Sequence, residues 1–216
     1  MNIYNVIILD ESGSMSCIRK ETIQSMNEVL NGIRMNQKEF SNQQHYVTFV
    51  TFEGQGADGV KMRRDRVPID KIANITERDY RPGGCTPLYD AIGVTLNDLE
   101  SKINSGDKVM ATIITDGYEN ASTEYSGRII KNLMSRLREK GWTFAYIGAN
   151  QDSVEVARDL HIDNALDFDE TPEGIEKMSH LYCTASRKVS LMYDLMGEDE
   201  CVPCTGIFNE PEDQKD

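Results

Sequence analysis

Residues 10–14 read Asp-Glu-Ser-Gly-Ser and follow the apolar run Val6–Leu9 directly. Asp10, Ser12 and Ser14, a D-x-S-x-S pattern, thus crowd oxygen atoms at the end of a strand that reads as buried. Two other stretches carry matching atoms: "GGCTP" over 83–87 supplies Thr86, and "IITDG" over 113–117 supplies Asp116. The set is two carboxylates and three hydroxyls, with no nitrogen or sulfur. Those donors suit a hard cation. Mg²⁺ takes octahedral oxygen ligands at about 2.0–2.1 Å and keeps some of its water, and Mn²⁺ accepts the same site. Neutral hydroxyls beside only two acids leave the ion wanting an anionic ligand from outside, which suits an adhesive site better than a closed structural one.

Rival chemistries lack a partner elsewhere in the chain. A phosphatase of the haloacid dehalogenase type needs a second acid two residues after the first, as general acid; Ser12 stands there. A phosphate-binding P-loop needs a lysine in its glycine loop, and a serine hydrolase needs G-x-S-x-G; neither motif is present in this stretch. His45, His161 and His180 fall outside the strand-end loops that would face the site and read as surface or half-buried residues. Cys201 and Cys204 form a C-x-x-C, half of a tetrahedral zinc site, with no second pair; they read as two tail thiols. Cys85 reads as a small residue filling a tight loop.

The elements that must position these residues alternate. Strand-like runs lie at 3–9, 45–52, 60–69, 108–115, 142–148 and 164–168. Helical 3–4 spacing of apolar residues runs through 16–35, 88–103 and 126–140, with a short helix at 153–160 and a long one from 171 to about 196. Gly141 closes the third of these, and Pro172 stands at the first position of the last. Strands alternating with helices predict an α/β, doubly wound, mostly parallel six-stranded sheet with helices on both faces and its active edge at the strands' carboxyl ends. The run 60–69 alternates as a half-exposed edge strand does, and the short gap before it predicts a hairpin with the second strand. One domain is expected over 1–197, and 198–216, acidic and poor in apolar groups, reads as a flexible tail.

The net charge of −13 disfavours nucleic acid and anionic membrane surfaces, and favours divalent cations and basic partner surfaces. No run approaches the length of a membrane span or of a secretory leader. Five cysteines, an odd number without regular spacing, point to free thiols in a reducing compartment, so a cytoplasmic location is expected.

"DESGSM", "CTP" and "TDG", in this order and at these separations, resemble a von Willebrand factor type A domain with an intact metal-ion-dependent adhesion site, over about 3–196. "YIGANQDSVEVARDLHI" is also similar to small stand-alone bacterial or phage members. The resemblance implies a mixed sheet with an antiparallel third strand, in keeping with the hairpin. It implies Mg²⁺ or Mn²⁺ held by Asp10, Ser12, Ser14, Thr86 and Asp116, the hydroxyls bound directly or nearly so and the acids often through water. A partner protein's Asp or Glu completes the shell. The expected function is a metal-dependent protein-binding module without catalysis. An alternative from the same resemblance is an accessory subunit of a chelatase or AAA+ ATPase, or of a stress-response kinase or phosphatase system. Tyr80, Tyr118, Glu119 and Tyr125 lie on loops expected to rim the metal, where exposed aromatics suit recognition.

Overall fold

The computed structural model describes residues 1–149, 153–197, 200 and 202–209. Its strands are β1 (Asn2–Asp10), β2 (Gln44–Phe52), β3 (Val60–Pro68), β4 (Lys108–Thr115), β5 (Thr143–Ala149) and β6 (Asn164–Phe168). Its helices are α1 (Arg19–Glu39), α2 (Leu88–Glu100), α3 (Gly127–Glu139), α4 (Ser153–Asp159) and α5 (Pro172–Met196). The strands form one sheet in the order β3-β2-β1-β4-β5-β6. β1 pairs in parallel with β2 and β4, β4 with β5, and β5 with β6, whereas β2 and β3 are antiparallel. The α/β mixed sheet with one antiparallel edge strand is the architecture expected.

The two faces are built from alternate residues of the same strands, because successive side chains of a strand point to opposite sides. Ile3, Ile7 and Leu9 of β1 pack with Met26, Val29, Leu30 and Ile33 of α1 and with Ile175, Met178 and Tyr182 of α5. Tyr4, Val6 and Ile8 pack with α2, α3 and α4 on the other face. The four α1 residues lie at i, i+3, i+4 and i+7, one stripe of a helix. Ile7 and Ile8 are fully buried, and each contributes about 1.5–3 kcal/mol of hydrophobic stabilisation. Met178 lies in this core and Met192 packs against it, so these α5 methionines serve packing. Among the described residues no helix is long and apolar enough to cross a membrane.

At the edge, β3 carries Lys61, Arg63, Arg64, Asp65 and Arg66, and its register against β2 shifts on both sides of Phe49, with Arg66 at φ 48°. Charge and a bulge both deter pairing with another edge.

Three expectations need correction. α1 starts at Arg19, not Ser16, because residues 13–18 form a 3-10 turn that buries Met15 and Ile18. His45 is fully buried, not on the surface: it stands near the start of β2, between Asn5 and Gln43. Residues 202–209 are not a free tail. Cys204 and Ile207 are 1% and 2% exposed and join the α1–α5 side of the core. The Cys204 N–H donates to Thr143 Oγ1 at 2.9 Å, and Asn164 Nδ2 donates to the Cys204 carbonyl at 3.0 Å. Thr143 and Asn164 begin β5 and β6, so this segment covers the amino-terminal edge of the sheet. Cys204 is therefore a core residue rather than a tail thiol; Cys201 and the rest of the tail, 198, 199 and 210–216, lie outside the described residues.

Candidate metal centre

The chain leaves β1 toward β2 and β3 on one side and returns to β4 on the other. Connections diverge at such a switch point and leave a crevice beyond the carboxyl ends of the two central strands. Asp10 ends β1, and Asp116 follows the last residue of β4.

Asp10 is fully buried. Its Oδ1 accepts the Ser12 N–H at 2.7 Å and its Oδ2 accepts the Thr115 hydroxyl at 2.5 Å. Burial pushes its carboxyl up to about 6, against those hydrogen bonds, which pull it down. Beyond Ser12, the 3-10 turn is tighter than an α-helix; it buries Met15 and leaves Ser14 exposed. Ser12 and Ser14 place their hydroxyl oxygens 3.1 Å apart, and Ser14 Oγ donates to Asp116 Oδ1 at 2.7 Å. Asp116 is 6% exposed, and burial raises its carboxyl above the usual range, the nearby Glu170 carboxylate adding to the rise.

The loop bearing Thr86 is pinned from both sides. The Gly13 N–H donates to the Gly84 carbonyl at 3.1 Å. The Thr86 N–H donates to Asn120 Oδ1 at 2.9 Å, and the Asn120 N–H returns to the Thr86 carbonyl at 3.2 Å. Around Gly117, Thr86 Oγ1 and Asp10 Oδ2 lie 3.4 and 4.0 Å from where a β-carbon would stand. Asp10, Ser12, Ser14, Thr86 and Asp116 thus meet in one place although 106 positions separate the first from the last.

Their chemistry fits a cation. Asp116 Oδ2 is buried and accepts no hydrogen bond among the described residues. An unsatisfied buried acceptor costs about 1–3 kcal/mol, more when charged, and a bound cation removes that cost. No three of His, Cys, Asp and Glu among the described residues are grouped to hold an ion by themselves. The donor set is completed by hydroxyls, so it is a hard one.

The four rim residues separate. Tyr118, two residues after Asp116, is 61% exposed. Tyr80 is buried: its hydroxyl donates to the Asp10 carbonyl at 2.8 Å from inside the fold, and burial holds its ionisation well above the ordinary range. Glu119 spends its carboxylate on the N–H groups of Tyr89, Ala121 and Ser122, holding the loop after β4. Tyr125 lies over Gly93 and packs against the α2–α3 side of the core.

Other residues escaped the motif reading. Thr115 orients Asp10, and its place directly before Asp116 at a strand end was the available signal. Glu11 is fully buried and accepts from Arg63 at 2.9 and 3.1 Å, as well as from the Arg81 N–H. It ties the first loop to β3 and to the Thr86 loop. Nothing about a variable position inside D-x-S-x-S announces this. Asp90 accepts the N–H groups of Thr123, Glu124 and Tyr125 at 2.7–3.0 Å, fixing the far end of the Asp116 loop.

Several solved structures share this fold. Proximal thread matrix protein 1 from the mussel byssus, with a zinc-occupied MIDAS motif, is 16% identical, with 88% of this chain and 46% of that one covered and a TM-score of 0.58. A von Willebrand factor type A structure from Catenulispora acidiphila is 12% identical, with 87% and 41% covered and a TM-score of 0.58. The pilus adhesin SpaC from Lactobacillus rhamnosus GG, in an open conformation, is 13% identical, with 87% and 30% covered and a TM-score of 0.65. The chain spans less than half the length of each. No curated protein matches it in sequence. The von Willebrand factor type A domain model matches residues 6–172, most of the chain. With its mixed six-stranded sheet and its three strand-end loops gathered at the switch point, the chain belongs to the von Willebrand factor type A domain family.

Proposed function

We propose that this chain is a metal-dependent protein-binding module with no catalysis of its own. Asp10, Ser12, Ser14, Thr86 and Asp116 hold Mg²⁺ or Mn²⁺, and the ion binds an Asp or Glu carboxylate of a partner protein. The observation that carries this reading is the buried Asp116 Oδ2, which accepts no hydrogen bond among the described residues and lies among oxygen donors. The ion supplies a positive centre on an otherwise acidic surface, and so a place for a carboxylate to land. Ser14, exposed at the mouth, and Tyr118, exposed two residues after Asp116, are the side chains that a partner meets first. Zinc occupies the corresponding motif in the byssus protein, but zinc favours nitrogen and sulfur donors, and hydroxyls with carboxylates favour Mg²⁺ or Mn²⁺.

The test is thermal unfolding of chelator-stripped protein titrated with Mg²⁺, Mn²⁺ and Zn²⁺, with Asp116→Ala alongside. A ligand bound only by the native state raises stability, by about 2.7 kcal/mol at a hundredfold excess over Kd. The parent is expected to respond to Mg²⁺ and Mn²⁺ and the variant not. Equal responses place the ion elsewhere on the acidic surface, and no response from either removes the metal from the function.

A further inference from the structure

Arg19, Arg78 and Arg81 line, with Ser16, Glu77 and Pro82, an open cleft of about 560 Å³. Ser16 lies on the turn that carries Ser14, and Arg81 and Pro82 begin the loop that carries Thr86. Those two loops are bonded to each other: the Gly83 N–H donates to the Glu11 carbonyl at 2.8 Å, and the Gly13 N–H to the Gly84 carbonyl at 3.1 Å. The cleft therefore flanks the metal centre.

Its cations are held in place. Arg19 Nε donates to the Tyr80 carbonyl at 3.1 Å and its Nη2 to the Glu77 carbonyl at 2.8 Å. Arg81 Nε donates to the same Glu77 oxygen at 3.4 Å. Two guanidiniums thus converge on one carbonyl, and the exposed Arg78 lines the same cleft. Tyr80 joins this arrangement to the metal centre, because its hydroxyl holds the Asp10 carbonyl while its own carbonyl holds Arg19. The turn before it is fixed as well. The Thr76 N–H and hydroxyl donate to Asp79 Oδ2 at 2.9 and 2.8 Å, and Asp79 Oδ1 accepts from Arg64 at 3.1 Å.

Like charges brought together repel. Among the described residues that line the cleft, Glu77 supplies the one carboxylate, 3.7 Å from Arg19 Nη1 and itself largely exposed. Three guanidiniums face it, on a chain whose net charge is −13. An anion from outside relieves that excess. Guanidinium forks match the two oxygens of a carboxylate, and an arginine already oriented loses less freedom on binding one. Nucleic acid also carries anions, but its long backbone would meet the acidic remainder of the surface. A short acidic peptide segment meets only the cleft and the ion beside it.

We propose that the cleft of Arg19, Arg78 and Arg81 receives a second carboxylate of the partner, so that the chain recognises an acidic protein segment, with one Asp or Glu on the metal ion and a neighbouring one on the arginines. The placement of the first acid rests on the metal-dependent reading above, whereas the cleft needs no ion.

The experiment follows the fluorescence anisotropy of a labelled oligoglutamate peptide with the full chain, at fixed ionic strength, in Mg²⁺ and in chelator. A Gly-Ser peptide of equal length with a single Glu is run beside it. The variants are Arg78→Ala, Arg81→Ala, Asp116→Ala and, for an equal change of net charge away from the cleft, Arg128→Ala. Arg78 and Arg81 are exposed, so their variants are expected to melt with the parent. Each is expected to weaken oligoglutamate by about fivefold, as for an exposed ion pair, and to leave the single-Glu peptide unchanged, while Arg128→Ala matches the parent with both. Asp116→Ala is expected to remove the Mg²⁺-dependent part of binding and to keep the arginine-dependent part. If Arg78→Ala and Arg81→Ala weaken oligoglutamate no more than Arg128→Ala does, or if the parent binds no oligoglutamate in either buffer, the role of the cleft is overturned. If binding is indifferent to Mg²⁺ and to Asp116→Ala yet falls with the arginines, the cleft stands and the metal-dependent reading falls.

Discussion

At the scale of single residues, the site depends on groups that never touch the proposed ion. Thr115 holds Asp10 Oδ2 at 2.5 Å and also receives the Gly117 N–H at 3.1 Å. Thr115→Val keeps the shape and removes the hydroxyl. Its Mn²⁺ affinity is expected to drop by about tenfold, read by a water-proton relaxation titration, and its stability in chelator by about 1 kcal/mol. An unchanged affinity would show that Asp10 orients itself. His45 offers a separate handle, far from the metal. Asn5 Nδ2 faces its Nδ1 and Gln43 Oε1 faces its Nε2, each at 3.2 Å, an arrangement that suits the neutral ring protonated on Nε2. Burial lowers its titration to about 4 from the ordinary 6.5. Between those values the unfolded chain binds the proton and the folded chain does not, so stability falls as pH drops from 6.5 toward 4. The loss is at most about 3 kcal/mol. Urea unfolding of parent and His45→Gln across this window should show the slope in the parent and a shallower one in the variant; parallel curves would assign the acid sensitivity to the carboxylates instead.

At the scale of elements, the loop 81–87 was legible as a loop from its Pro-Gly-Gly composition, but its exact course was not. Gly84 has φ +68°, and a β-carbon there would meet Glu53 Oε2 at 2.5 Å and the Gly54 nitrogen at 2.8 Å. Backbone strain in the left-handed region and the clash act together. Gly84→Ala is expected to cost about 2–4 kcal/mol and to weaken the metal response by moving Thr86, as followed by thermal melting with and without Mg²⁺. A melting temperature within error of the parent's would mean that the loop relaxes freely. The hairpin of β2 and β3 was readable because alternation and a short gap are local signals. The start of α1 was not. Apolar spacing continues back through Met15 and Ile18, and only the hydrogen bonds of the loop across from it, Gly13 to Gly84 among them, favour the tighter turn.

At the scale of the whole molecule, the two edges of the sheet have different tasks. The carboxyl edge gathers the oxygen donors, and the amino edge is closed over β5 and β6 by residues 202–209. Ending the chain after Gly197 removes the buried Ile207, worth about 1.5–3 kcal/mol, and leaves Thr143 and Asn164 short of partners. The truncated chain is expected to melt roughly 10 °C lower, at about 2–4 °C per kcal/mol for a domain of this size. An unchanged melting temperature would make the segment an ornament of the fold. Metal binding at the opposite edge should survive the truncation.

What the sequence by itself determined is what local pattern and donor chemistry encode. Apolar runs and helical spacing specified the alternating elements, and an acid with two hydroxyls at a strand end, a threonine in a glycine loop and an acid before a glycine picked out five oxygen-bearing residues that the fold brings together. Only the tertiary structure decided which tyrosine is a rim and which a support, since exposure depends on what lies above a residue: Tyr118 is open and Tyr80 lies beneath Asp10. The same holds for the acids. Glu11, Asp90, Glu119 and Glu170 look alike in the chain, yet packing makes the first three fasteners of loops and sets the fourth, 54 positions beyond Asp116, against Cys17 on the turn that carries Ser14.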